Sequence, residues 1–241
     1  WVARTTRPDL IVPVSVVSQR PAIQSEHVAL MRKTINYTQE HPIKLKFPKF
    51  DKSSLRMLMY ADFSGSPQTP RHKRVLGFIT FLTDATHNVA PISWCSRTPQ
   101  KVCRGPGAGE AQALADGTNQ ALYDVKVVQE LFHQRVPLSI YTDSKCVFDA
   151  CISFRPTADF RSISDIMLIR DSIQRGEVEE INWLDTKENP ADGLTKSLFQ
   201  QRPNNGILTQ CLSTGYLNTP VRATVTRNTM QYEPRPDLSI T

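Results

Sequence analysis

The chain has 241 residues, 39% hydrophobic and 22% charged, which is enough apolar content for one good core and part of a second. No apolar run approaches the ~18 residues of a membrane span, and the opening WVARTTRPDL lacks the apolar stretch of a secretion signal, so neither a spanning nor a secreted protein is expected. A formal charge of +6, from 29 basic and 23 acidic side chains, favours a polyanionic partner, because neutralising phosphates releases counterions.

The first residue is Trp1 rather than Met, as in a piece of something longer. Cys95, Cys103, Cys146, Cys151 and Cys211 form no CxxC pair. Their odd number, with no secretion signal, points to reduced thiols in an intracellular compartment.

Residues 1–54 read as a helical segment that ends in a basic extended stretch. After a TRPD turn, LIVPVSVVSQ is apolar, and SEHVALMRKTINYTQEH has the pattern of a capped amphipathic helix with Val28, Met31, Ile35 and Thr38 near one face. IKLKFPKF alternates apolar and basic residues, and Pro48 makes it an edge strand or a linker.

From Leu55 the rhythm changes. LRMLMYAD, VLGFITFLTD and APISWCSR are strands separated by the turns SGSPQTPRHK and DATHN, which is an antiparallel meander. After the loop CRGPGAG, a helix is expected from Glu110 to His133, with Leu114, Ala121, Leu122, Val125, Val128 and Phe132 at three- and four-residue spacing. VPLSIYTD is a fourth strand, SKCVFDACI a short helix, and ADFRSISDIMLIRDSIQRGE a longer one stopped at Gly176. EEINWLD is a fifth strand, and PADGLTKSLF a last helix with Pro190 near its first turn. The expected class is therefore α/β, a mixed five-stranded sheet of three antiparallel and then two parallel strands, with helices on both faces. Residues 55–200 form this domain, and residues 201–241, with little periodicity, a loosely held tail.

Four acids stand at comparable points of this order. Asp62 closes the first strand and Asp143 the fourth, while Glu110 opens the helix after the meander and Asp192 the last one. Any one alone would serve as a turn former, an N-cap or a first-turn acid. In such sheets, however, sites gather where strands end and helices begin, so all four can meet. Carboxylates that close repel one another unless cations sit among them, and hard oxygen donors beside a phosphate substrate select Mg²⁺, with Mn²⁺ as a substitute. Two such ions ~3.5–4 Å apart suit phosphodiester hydrolysis. Asp185 and Glu188 lie nearby in sequence and are candidates for supporting contacts.

These flanks resemble one family. YADFSGSP, the VLGFITFL to PISWCSRTPQK meander, GEAQALADGTNQAL, YTDSKCVFDA and NPADGLTKSL are similar to the successive motifs of the ribonuclease H domain of copia-type retrotransposon polyproteins. WVARTTRPDLIVPVSVVSQ is similar to the end of those elements' reverse transcriptase, before a connection region. The resemblance implies a ribonuclease H-like fold and cleavage of the RNA strand of an RNA:DNA hybrid. It implies Asp62, Glu110, Asp143 and Asp192 as catalytic metal ligands, and the reverse transcriptase portion of the same polyprotein as a partner. It also implies hybrid tracking through backbone and 2′-OH contacts, for which Arg71, His72, Lys73, Arg74, Lys101 and Arg104 are candidates. The alternative for these six is a solvated charged loop.

Two departures stand out. GPGAG replaces a Ser/Thr-rich run before the glutamate, and WLDTKENPAD offers Thr186 and Lys187 where relatives carry a loop histidine. Two other readings therefore stand beside the nuclease. One is a non-catalytic nucleic-acid-binding or scaffolding module from a decayed or domesticated element. The other is a structural subunit of a larger reverse transcriptase or splicing-type assembly.

Overall fold

A computed structural model describes residues 1–18, 22–65, 74–103, 105–153, 162–196, 199 and 205–230 of the chain. The meander runs as β1 (Arg56–Ser64), β2 (Val75–Thr83) and β3 (Val89–Arg97). β4 (Leu138–Thr142) lies parallel to β1, and β5 (Glu180–Leu184) parallel to β4. A sixth strand, β6 (Val221–Thr226), pairs antiparallel with β5, which gives the order 3-2-1-4-5-6. This is the expected α/β class, a mixed sheet with helices on both faces, and it has one strand more than expected. The added strand comes from the segment read as a tail.

Strand alternation divides the core. Met57, Met59, Ala61 and Phe63 of β1 face one way, into a core with Leu114, Val125, Ile166, Ile169 and Ile173. Those last residues lie on α4 (Pro106–Phe132) and α6 (Ile163–Gln174), between which comes the short α5 (Lys145–Ile152). Leu58 and Tyr60 face the other way, into a second core with Ile79, Phe81, Leu184 and Leu194.

That second core draws on both ends of the chain. Leu10, Ile11 and Val12 come from the start of the chain, where α1 (Val2–Thr5) precedes α2 (Ile11–Ser18). Leu208, Cys211 and Leu212 come from α7 (Asn205–Thr214). The Tyr60 hydroxyl shares a hydrogen bond with Thr219 at 2.9 Å, and the Leu217 N–H donates to the His87 carbonyl at 3.0 Å. The core thus crosses the divisions expected near residues 54 and 200. Near the start, Arg7 grips Asp9 through two hydrogen bonds of 2.8 and 2.7 Å, both residues buried, which fixes the TRPD turn.

Several local expectations change. The amphipathic helix forms as α3 (Ser25–Glu40), but it buries His27 and Thr34 while Val28 and Ile35 stay exposed. IKLKFPKF makes no strand ladder; the Lys46 N–H donates instead to the Leu212 carbonyl at 3.0 Å, so the segment lies along α7. α4 begins at Pro106, which places GPGAG inside its first turns and Glu110 beyond its start. The last expected helix is a 3-10 turn, Pro190–Leu194. The bulk of the SGSPQTPRHK turn, residues 66–73, lies outside the described residues.

Candidate functional site

The parallel pairing of β1 with β4 sets the first two carboxylates. Tyr60 pairs with Tyr141 as the last rung of the ladder, so Asp62 and Asp143 both follow it at the same end of the two strands. Beyond β4 the chain turns at once. The Thr142 hydroxyl accepts from the Ser144 N–H at 3.1 Å, and the Ser144 hydroxyl caps α5 by accepting from Val147. Trp183 of β5 donates its indole N–H to the Asp143 carbonyl at 3.2 Å, which steadies the backbone that presents the carboxylate.

α4 brings the third. A Cβ added at Gly109 would fall 2.4 Å from the Phe63 ring, and one at Gly117 would fall 2.6 Å from the Met59 sulfur. The missing side chains let the helix lie against β1 beside Asp62, and Glu110 follows directly on the closest approach. Of the glycines of GPGAG, Gly109 therefore has a packing reason. Asp62, Glu110 and Asp143 each offer a carboxylate oxygen, and the three oxygens lie within 4.8 Å of one another.

Asp192 comes to the same corner by another route but is not one of those three. Asn189 pins the 3-10 turn to β1 by donating to the Ala61 carbonyl at 2.9 Å, and its own side-chain oxygen accepts from the Ala191 N–H. Gly77, the register partner of Asp62, leaves room for the turn, since a Cβ there would meet Leu194 at 2.8 Å and Thr195 at 2.9 Å. The Thr195 hydroxyl then donates to Asp62 Oδ2, and Lys196 pairs with Asp192 Oδ1. Asp192 is fully buried, and among the described residues its Oδ2 has no hydrogen-bond partner, nor does Glu110 Oε2.

Crowding and burial set the protonation of this corner. Burial pushes Asp62 up to about 6, the Asp143 charge adds to the rise, and Lys196 and the Thr195 hydroxyl oppose it. Burial likewise pushes Glu110 well above the usual carboxylate range, with Asp62 and Asp143 adding to the rise. Two buried carboxylate oxygens without partners among the described residues, next to three converging acids, are the surroundings in which a hard divalent cation is stabilised. The donor set fits Mg²⁺ or Mn²⁺ chemistry: all oxygen, with no sulfur or imidazole among it.

The remaining sequence candidates are placed as follows. Lys101 pairs with Asp165 at 2.5 Å, and Arg74 donates to the Cys103 carbonyl at 2.6 Å. Arg71, His72, Lys73 and Arg104 lie outside the described residues. Asp185 accepts from the Lys187 N–H and pairs with Arg222 of β6, so it braces the added strand and not the carboxylate corner. Thr186 and Lys187 are exposed on a short 3-10 turn. Sequence reasoning did not single out Gly77, Asn189, Thr195 or Lys196. Their one signal was membership of the quoted stretches VLGFITFL and NPADGLTKSL.

No helix among the described residues is long and apolar enough to cross a membrane. No protein-family model matches the sequence, and no curated protein matches it. Among solved structures, the chain is similar to the N-terminal RNase H domain of a Mycobacterium tuberculosis protein, at 17% identity and a TM-score of 0.42, over 58% of this chain and 91% of that one. It is similar to RNase H1 from the halophilic archaeon Halobacterium salinarum at 16% identity and a TM-score of 0.41, over 58% of this chain and 93% of that one. The protease-reverse transcriptase of prototype foamy virus matches at 12% identity and a TM-score of 0.35, over 80% of this chain and 29% of that one.

Proposed function

We propose that this chain is a metal-dependent ribonuclease H that cleaves the RNA strand of RNA:DNA hybrids, within the polyprotein of a copia-type retrotransposon that also carries a reverse transcriptase. The observation that carries the reading is the convergence of Asp62, Glu110 and Asp143 at the ends of two parallel central strands. The flanking motifs, each in the family's order, supply the substrate class, and the charge of +6 suits a polyanion.

Asp62, Glu110, Asp143 and, across Lys196, Asp192 would hold the divalent cations. When bound, such ions supply a nucleophilic water at neutral pH and charge neutralisation at the phosphate. The chain's own residues do the rest. Thr195 orients Asp62 through its hydroxyl, and the Trp183 indole holds the Asp143 backbone. Burial of the Phe63 and Ala61 side of the site keeps bulk water from screening the carboxylates.

The experiment is cleavage of a labelled RNA:DNA hybrid in Mg²⁺ by the chain and by Asp143→Asn. The chain is expected to cut the RNA strand only. The variant should lose at least ~10²-fold in rate, the scale of removing one electrostatic contact to the transition state, with an unchanged circular dichroism spectrum. Equal rates would refute the assignment. The second reading, a binding or scaffolding module, takes its support from one feature: Asp192 is already occupied by a lysine of the same chain.

A further inference from the structure

Lys196 is an unusual neighbour for a metal site. Its side chain is 16% exposed and pairs with Asp192, whose side chain is 1% exposed, in the same turn. The preceding residue, Thr195, bonds Asp62 with its hydroxyl and approaches the Asp192 carbonyl at 3.3 Å. Consecutive residues of one short turn therefore reach two of the four acids. A positive charge buried next to a cluster of carboxylates does what a cation does there: it offsets their mutual repulsion. The Lys196 charge also acts on Asp62 and Glu110, lowering the tendency of each to keep its proton.

We propose that Lys196 is a resident counter-cation of the carboxylate corner, so that a divalent ion is held by Asp62, Glu110 and Asp143 while a second ion reaches Asp192 only by displacing the lysine ammonium. The inference rests on the reading of this corner as a metal centre. The geometry gives it two supports. Asp192 stands outside the three-carboxylate group, with one oxygen committed to Lys196 and the other without a partner among the described residues. The Thr195 bond to Asp62 anchors the backbone next to Lys196, so the lysine can swing away while the turn stays in place. Loading of the second position then depends on cation concentration, and on any phosphate that draws the ammonium off its carboxylate.

The test is calorimetric titration of the full chain with MgCl₂ and with MnCl₂ at one fixed pH, with Mn²⁺ binding also counted by electron paramagnetic resonance. Lys196→Met keeps the length of the side chain and removes its charge, while Lys196→Arg keeps the charge. Lys196→Met is expected to tighten the weaker metal step about tenfold, the effect of removing one adjacent opposing charge, and Lys196→Arg to leave it near that of the parent chain. The gain should vanish in the Lys196→Met, Asp192→Asn double variant.

Thermal melting guards against a purely structural role. Without metal, Lys196→Met should melt below the parent chain, and saturating Mg²⁺ should close the gap. A lysine that only packs would leave the same gap in both conditions. Identical isotherms for the parent chain and Lys196→Met overturn the proposal. Hybrid cleavage by the parent chain is scored separately. A parent chain that does not cut sinks the nuclease reading, yet a tightened isotherm in Lys196→Met still supports the counter-cation. A chain that cuts, with unaltered isotherms in the variant, removes the counter-cation alone.

Discussion

In the proposed metal centre, Asp62 carries a cost set by its burial and by the neighbouring Asp143 charge. Its carboxyl is raised to about 6 from an ordinary value of 3.8, so between those pH values the folded chain holds a proton that the unfolded chain has released. Stability from this group is therefore greatest below pH ~4 and falls as pH rises through ~6. Asp51, Asp84 and Asp185 have the opposite sign: hydrogen bonds hold their carboxyls low, and their contribution is lost on acidification. Comparison of the parent chain with Asp62→Asn isolates the first effect. In urea melts without metal, the variant should gain on the parent as pH rises from 4 to 7, by up to about 3 kcal/mol, and most of the gain should disappear in Mg²⁺. A difference that stays flat with pH would mean that Asp62 is not the strained group.

Elements meet at this corner because three glycines let them. Gly109 and Gly117 bring α4 onto β1, and Gly77 admits the turn that carries Asp192, Thr195 and Lys196. Gly77→Ala is the informative change. Its Cβ would meet the Leu194 carbonyl oxygen at 3.2 Å as well as two side-chain carbons, so relief requires the backbone of the turn to move. Overpacking of this kind costs ~1–3 kcal/mol. The variant should keep its fold, melt several degrees lower and bind Mg²⁺ more weakly, since the Thr195 bond to Asp62 is stretched; unchanged melting with unchanged metal binding would show that the turn yields freely.

These contacts also mark where the sequence could be read and where it could not. β1, β2 and β4 were legible because their apolar runs end in Asp62, a breaker turn and Asp143, all local signals. The start of α4 was missed because Gly107 and Gly109 read as a loop, although they sit in a helix that must approach Phe63 closely. The 3-10 turn at Pro190–Leu194 was read as a helix from its Pro at N1, while the side-chain bond from Asn189 to Ala61 that shapes it spans 128 positions.

For the molecule as a whole, composition suggests three pieces and the core unites them. β6 closes the β5 edge, and α7 with Leu10, Ile11 and Val12 covers the sheet face that holds Tyr60, Ile79, Phe81, Leu184 and Leu194. A low-periodicity segment conceals this role because α7 is short and its apolar residues, Leu208, Cys211 and Leu212, matter only against a sheet distant in sequence. Residues 55–200 expressed alone would keep the α4 side of the sheet covered and bare the other. Losing even one fully buried leucine such as Leu212 to alanine costs ~2–5 kcal/mol, and a domain's whole margin is ~5–15 kcal/mol. The 55–200 fragment should therefore bind a hydrophobic dye, associate, and lack a cooperative melt, while a chain of residues 1–230 melts in one transition. A monomeric, cooperatively melting 55–200 fragment would mean that the second face needs neither end of the chain, and that the flanks serve something other than the core.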